Sequence, residues 1–430
     1  MKTIIRNGEI IDPANRINRE KFDLLIIDGK IANIDKNISV KDADTIDASG
    51  LVIVPGLIDM HVHLREPGQE HKETIKTGTR SALKGGFTSI MAMANTKPVI
   101  DSVQVLRDVL ARVSDQAVVN VFQACSVTVG MLGEMLVDVD DLVVNGASAL
   151  SDDGKPVMNS QIMGNALIAC KKHNIPLISH CEWIDKEYEG WIINKGEVSE
   201  KLGIIGIPNL AEERMVERDI KLADETDSHI HIAHVSTAGS VELIRQAKKR
   251  GVKVTAEATP HHFTLTDSAV EKYGANAKMN PPLRSKADVS AVIEGLKDGT
   301  IDVIATDHAP HAEYEKAKGL KDAPFGIVGL ETCLSLVITE LVNKGHLSLY
   351  EAIEKMTINP AKILNIKKGT LSIGEDADIT IIDLDKEWTV DPSRFESKGR
   401  NTPFIDRKLR GLPAITIVKG KEYRFSLSYC

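Results

Sequence analysis

His61 and His63 stand two residues apart in the short, mostly apolar run 57–64. Alternate residues of a strand point to the same face, so the two imidazoles project together, a geometry that suits a metal such as zinc. An exposed edge strand would be the bland explanation. The flanking apolar residues argue for burial instead, and a buried imidazole needs a partner. Arg65 follows at once, on a turn marked by Pro67 and Gly68. Reactive side chains recur at the ends of later apolar runs: Asn95, the pair Asp152 and Asp153, then His180, His234 and Asp307. Four histidines with two or three carboxylates exceed the needs of one zinc and match a two-metal site with a bridging carboxylate.

Each residue has a plainer reading when taken alone. His180 could be a satisfied core histidine, and Asp307 could cap a following helix. Their joint placement at strand ends favours the metal reading. His229 and His231 resemble a second His-x-His pair, but His234 lies nearer the end of its run, and the other two read as structural. His261 and His262 follow Thr259-Pro260 and read as loop packing rather than ligands. His71, His173 and His346 fall on helices or loops and read as solvated. Cys125 and Cys181 lie near the same strand ends, with no neighbour that would activate a thiol.

The elements that must position these groups follow from periodicity. Strand candidates at 57–64, 87–93, 118–124, 147–150, 176–180, 230–234, 252–256 and 303–307 alternate with helical stretches at 70–84, 102–113, 160–173, 211–223, 237–250 and 286–296. Eight such units predict a (β/α)8 barrel, whose strand C-termini all meet on one face. Residues far apart in sequence thus converge on one mouth. Outside this region, short apolar runs near 4–5, 24–27, 31–34, 51–54, 369–371, 377–384 and 414–418 alternate with turns such as Asn7-Gly8 and Asp28-Gly29. The two ends are expected to form one small β-sandwich beside the barrel. The division is 1–54 and 366–430 for the sandwich and 55–365 for the barrel.

Composition narrows the class. The 430 residues are 42% hydrophobic and 27% charged, an ordinary globular balance. The net charge of −8 and the lack of a basic segment argue against nucleic acid. No run approaches the roughly 20 apolar residues of a membrane span, and the N-terminus lacks the apolar core of a signal peptide. Five scattered cysteines without paired spacing fit a reduced, cytoplasmic setting.

The motifs carry a resemblance over essentially the whole length. His61-Val62-His63-Leu64-Arg65-Glu66-Pro67-Gly68, Met93-Ala94-Asn95-Thr96-Lys97-Pro98, Ser151-Asp152-Asp153-Gly154, Ile178-Ser179-His180-Cys181-Glu182, Ile232-Ala233-His234-Val235-Ser236, Lys278-Met279-Asn280-Pro281-Pro282-Leu283-Arg284 and Ala305-Thr306-Asp307-His308-Ala309-Pro310-His311 resemble those of the amidohydrolase superfamily, and more narrowly of bacterial class I dihydroorotases. The resemblance implies two zinc ions per subunit, bridged by Asp153 and a hydroxide. His61, His63, Asp153 and Asp307 would hold one; Asp153, His180 and His234 the other. Asp307 would also move the proton. His63, Arg65, Asn95, Asn280, His311 and the Phe325-Gly326 backbone would hold the substrate. The implied reaction is the reversible cyclisation of N-carbamoyl-L-aspartate to L-dihydroorotate and water in pyrimidine synthesis. A homodimer and an association with aspartate carbamoyltransferase are further expectations of this kind.

Rival readings remain at this level. Allantoinases and hydantoinases share the barrel, but use a carboxylated lysine as bridge. Here no lysine ends the fourth strand, and Lys155 is the nearest. An inactive barrel serving as an assembly scaffold would be expected to have lost ligands, and every ligand position is filled. Residues 312–324, charged and punctuated by Gly319 and Pro324, read equally as a lid or as an ordinary solvated loop.

Overall fold

The computed structural model describes residues 2–184 and 190–425. Eight strands, Leu57–Val62, Phe87–Ala92, Asn120–Cys125, Ala147–Leu150, Leu177–Ser179, Ile230–Ile232, Val254–Ala258 and Val303–Ile304, lie side by side in sequence order. Neighbouring strands pair in parallel. A parallel bridge between Val62 and His308 joins the first strand to the chain beyond the eighth and closes the barrel.

One buried carboxylate fastens that seam. Asp59, on the first strand, accepts from the Thr306 hydroxyl at 2.5 Å, the Thr306 amide at 3.1 Å and the His61 amide at 3.1 Å. Burial pushes its pKa up to about 7. The same contacts set the spacing between His61 and Asp307.

Two apolar layers follow from the period of two along each strand. Ile58, Met60, Met91, Ala124, Ala149, Ile178 and Val303, from six of the strands, cluster with Ala233 just beyond a seventh. Such a cluster is possible only inside a closed barrel. Leu57, Ile90, Leu150, Leu177 and Ile304 face outward onto the helices. Several of the helices start at side-chain caps. Asn159 accepts from the Gln161 and Ile162 amides to begin Ser160–His173, and Thr237 accepts from the Ser240 amide to begin Ala238–Lys249.

Both chain ends form sheets beside the barrel. A six-stranded sheet runs Lys421–Tyr423, Lys408–Val418, Ile379–Thr389, Val52–Pro55, Glu9–Asp12, Ile17–Lys21. A four-stranded sheet of Lys30–Asp35, Asp23–Ile27, Lys2–Arg6 and Asp44–Asp47 packs against it through Ile5, Leu24, Ile26, Ile53, Ile379 and Ile415. The sandwich is therefore shared unequally, with one sheet wholly N-terminal.

Some elements differ from the periodicity. The run 369–371 is no strand: Gly369 has φ +73°, and the Leu371 amide donates to the Asp12 side chain instead of to a sheet. Ile17–Lys21, Ile-Asn-Arg-Glu-Lys, is an exposed edge strand and so carries no apolar alternation. The helix expected from residue 70 begins only at Ile75, where Thr74 caps it. His61 lies inside its strand rather than at its end.

Candidate active site at the barrel mouth

The structure brings all six candidate ligands together at the C-terminal mouth of the barrel. Asp153 sits at the centre. Its Oδ1 is 3.3 Å from His61 Nε2, 3.4 Å from His234 Nε2 and 3.6 Å from His180 Nδ1, and its Oδ2 is 3.4 Å from His63 Nε2. Asp307 Oδ1 stands 3.0 Å from His63 Nε2 and 3.8 Å from His61 Nε2. Two groups result, His61–His63–Asp153 and Asp153–His180–His234, with their donor atoms within 4.8 Å of one another. All six residues are buried. Among the described residues His61 Nε2 has no hydrogen-bond partner, although a buried imidazole nitrogen is costly to leave unsatisfied. Nitrogen and carboxylate donors converging in this way fit a divalent metal such as zinc.

The electrostatics of the metal-free protein agree. Burial disfavours charge on Asp153, but the surrounding imidazoles, His61 foremost, hold its pKa well below the usual carboxylate range. Against the same burial, His63 and His61 bring Asp307 down to about 2. Burial opposes charge on His180 too, yet Asp153 and Glu182 raise it to about 10. Asp153 and Glu257 likewise hold His61 well above its ordinary value despite burial. Protons on these imidazoles occupy the place that metal cations would take.

The backbone is shaped for the task. Arg65, His234 and Asp307 have positive φ values of 62°, 33° and 47°. Such values are uncommon away from glycine and cluster at functional sites.

The second ring of residues is more interconnected than the motifs revealed. Asn95 Oδ1 is 2.9 Å from His63 Nδ1, and its amide nitrogen lies 3.5 Å from Asp153 Oδ2, so this side chain braces two ligands. Asn280 donates to Glu182 Oε2 at 2.8 Å, and that oxygen is 3.4 Å from His180 Nε2. Arg65 is buried, with Nε 3.3 Å from the Pro310 carbonyl and Nη2 3.4 Å from His311 Nε2. Among the described residues no carboxylate lies within ion-pair distance of it. His311 donates from Nε2 to the Phe325 carbonyl at 2.7 Å, and burial together with Arg65 keeps its imidazole neutral. At Gly326, φ is +127° and a Cβ would come within 2.7 Å of the Ala309 side chain, so only glycine fits.

Neighbours that periodicity could not divide separate in the fold. Asp152 turns away from the cluster and accepts from the Val127 amide at 2.7 Å, the Thr128 amide at 3.2 Å and the Thr128 hydroxyl. Lys155 is exposed. His262 is satisfied by Thr259 and the Pro281 carbonyl, and His231 by Thr255 and Glu257. Burial pushes the Cys125 thiol up to about 12, and Cys181 rises as well. His173 is not fully solvated, because it pairs with Asp140 at 2.5 Å.

Three partners had no role assigned from the sequence: Glu182, Glu257 and Lys316. Glu257 left a signal, a lone carboxylate within the apolar run of the seventh strand. Lys316 left none, since it lies in a charged stretch. In the fold it is buried and donates to the carbonyls of Pro324 at 2.9 Å, Gly326 at 2.9 Å and Lys278 at 3.3 Å.

Barrel, flanking sandwich and mouth cluster together define a barrel hydrolase with side-chain clusters able to bind metal. The model of the amidohydrolase family matches residues 52–423. A dihydroorotase of Pelotomaculum thermopropionicum is 56% identical over 98% of this chain and 98% of its own length. A dihydroorotase of Syntrophus aciditrophicus is 49% identical over 98% of this chain and 99% of its own length. Among solved structures, the L-hydantoinase (dihydropyrimidinase) from Arthrobacter aurescens has a TM-score of 0.89 at 27% identity, covering 100% of this chain and 97% of that one. The chain belongs to the amidohydrolase family and, within it, to the dihydroorotases.

Proposed function

We propose that the protein interconverts N-carbamoyl-L-aspartate and L-dihydroorotate plus water, in pyrimidine synthesis, with two zinc ions at the mouth. His61, His63, Asp153 and Asp307 would hold one ion; Asp153, His180 and His234 the other. Bound there, the ions would supply a water of lowered pKa and polarise the ring amide carbonyl. In the hydrolytic direction Asp307 takes the proton of the attacking water and passes it to the departing ring nitrogen, as general base and then acid. Its position 3.0 Å from His63 keeps the carboxylate ionised and aimed at the cluster.

The observation that supports this reading is Arg65: a buried guanidinium beside the cluster, with carbonyl and imidazole neighbours and, among the described residues, no carboxylate within ion-pair distance. A planar fork so placed is ready for the carboxylate of an anionic substrate. Asn95, Asn280, His311 and the Phe325-Gly326 backbone complete the proposed substrate pocket. His311 stays neutral and His63 serves both metal and substrate. The hydantoinase alternative shares the barrel, but the exposure of Lys155 speaks against a lysine bridge.

The test is metal analysis together with an assay of carbamoyl-aspartate cyclisation. Two zinc ions per chain and turnover are expected. Hydrolysis of hydantoin or allantoin in place of dihydroorotate would overturn the assignment. The cytoplasmic setting fits the buried free thiols Cys125, Cys170, Cys181 and Cys333. The homodimer and the association with aspartate carbamoyltransferase rest on the resemblance, and sedimentation with and without that enzyme checks both.

A further inference from the structure

Each histidine of the cluster has a second ring nitrogen, and the four are treated differently. His63 Nδ1 meets the neutral amide oxygen of Asn95 at 2.9 Å. His180 Nε2 is 3.4 Å from Glu182, whose same oxygen takes the shorter bond from Asn280. His234 Nδ1 has no hydrogen-bond partner among the described residues. His61 Nδ1 alone among them has a close carboxylate, Glu257 Oε1 at 2.6 Å.

Glu257 lies on the seventh strand with no exposure to solvent. Its other oxygen is 3.2 Å from His231 Nε2, and His231 Nδ1 is in turn 2.9 Å from the Thr255 hydroxyl. The His234 amide adds a longer contact of 3.3 Å to Oε1. The carboxylate is thus held from both sides and cannot swing away from His61. An ionised carboxylate only accepts. Nδ1 of His61 must therefore carry the hydrogen, which leaves the Nε2 lone pair for the cluster. A charged acceptor also makes an imidazole a stronger ligand, and partners of this kind typically change metal affinity about 10- to 100-fold.

We infer that Glu257 is a positioning residue that fixes the Nδ1-protonated form of His61 and so strengthens selectively the metal position to which His61 belongs. The inference rests on the two-metal reading given above. The second position depends on His180 and His234, and Glu257 reaches it only through a backbone amide.

The experiment titrates metal-free protein with zinc against a chromophoric chelator, comparing the wild type with Glu257→Gln. Glutamine keeps the size and removes the charge. One of the two zinc affinities should fall about 10- to 100-fold, with the other nearly unchanged. His231→Asn frees one side of Glu257, and should weaken the same zinc affinity by a smaller factor while leaving the other close to wild type. Equal weakening of both sites by Glu257→Gln, or no weakening, would overturn the inference. Should Glu257→Gln fail to fold, zinc-loaded wild type labelled with 15N-histidine decides, because His61 must show a protonated Nδ1 and a metal-bound Nε2. Metal on Nδ1 would sink the idea. A wild type that takes up fewer than two zinc ions is a failure of the two-metal reading, and is recognisable before any variant is compared.

Discussion

Oδ1 of Asp153, just beyond the fourth barrel strand, stands 3.3 Å from Nε2 of His61 on the first. The same carboxylate reaches His63, His180 and His234, so it is the group common to both candidate metal positions. Two cations in one site need an anion between them, and in the proposed two-metal site Asp153 would supply it without chemical modification. Asp153→Ala should therefore lose one zinc and nearly all activity, and reconstitution of the wild type should not require bicarbonate. Asp152→Ala should retain both metals but lose about 1–3 kcal/mol of stability, since its bonds anchor the loop after the third strand. Metal analysis and thermal unfolding of the two variants check this pair.

Arg65→Lys should keep both metals, raise KM and lower kcat/KM. Lysine cannot make the two parallel bonds of a guanidinium. Loss of one charge-assisted contact corresponds to about 1.5–3 kcal/mol, or roughly 10- to 100-fold in kcat/KM. An unchanged kcat/KM would remove Arg65 from the substrate pocket.

Asp307→Asn should abolish turnover in both directions while substrate binding partly survives, because the amide keeps the shape but cannot take up the proton. Equilibrium binding of dihydroorotate and the rates in each direction separate the two effects. Near-normal rates would place the proton transfer on another group.

Zinc loading should release protons at neutral pH. In the metal-free chain, His61 lies well above its ordinary pKa and His180 at about 10, both held there by carboxylates against burial. A metal needs the lone pairs that these protons occupy, so affinity should rise with pH up to about 10. Calorimetry in buffers of different ionisation enthalpy reads the release directly. The sign for stability is opposite. His180, raised in the folded state, stabilises the metal-free chain fully below its unfolded pKa of about 6.5, and this is lost as pH rises through about 10. Asp307, depressed to about 2, stabilises above its unfolded value near 3.9 and loses that contribution as pH falls through about 2.

The segment 312–324 folds as two short helices, Glu313–Lys316 and Gly319–Asp322, tied down by Lys316 and by Lys278, which donates to the Lys321 and Ala323 carbonyls at 3.0 and 2.7 Å. Lys316→Ala should speed tryptic cleavage at Lys318 and Lys321 and raise KM, and bound dihydroorotate should restore protection. Equal cleavage with and without ligand would mark an ordinary surface loop.

The barrel was legible in the sequence because strand and helix periods are local properties, and because His61, His63, His180, His234 and Asp307 recur at or near strand ends. A parallel barrel forces those ends onto one face, so their convergence follows from the repeat itself. Weakly patterned pieces were lost: Ile17–Lys21 buries almost nothing, and the turn at Gly369 imitates a strand. The motif resemblance named Asp153 over Asp152, but periodicity could not separate neighbours on a turn, and only the tertiary structure supplied the physical reason: Asp152 is held by the Val127 and Thr128 amides. The tertiary structure also decided that Asn95 braces His63, that Glu257 stands behind His61 and that Lys316 is buried. Each of these depends on a partner distant in sequence, across a closed barrel or under a folded segment, and no local pattern encodes which side chain will be waiting there.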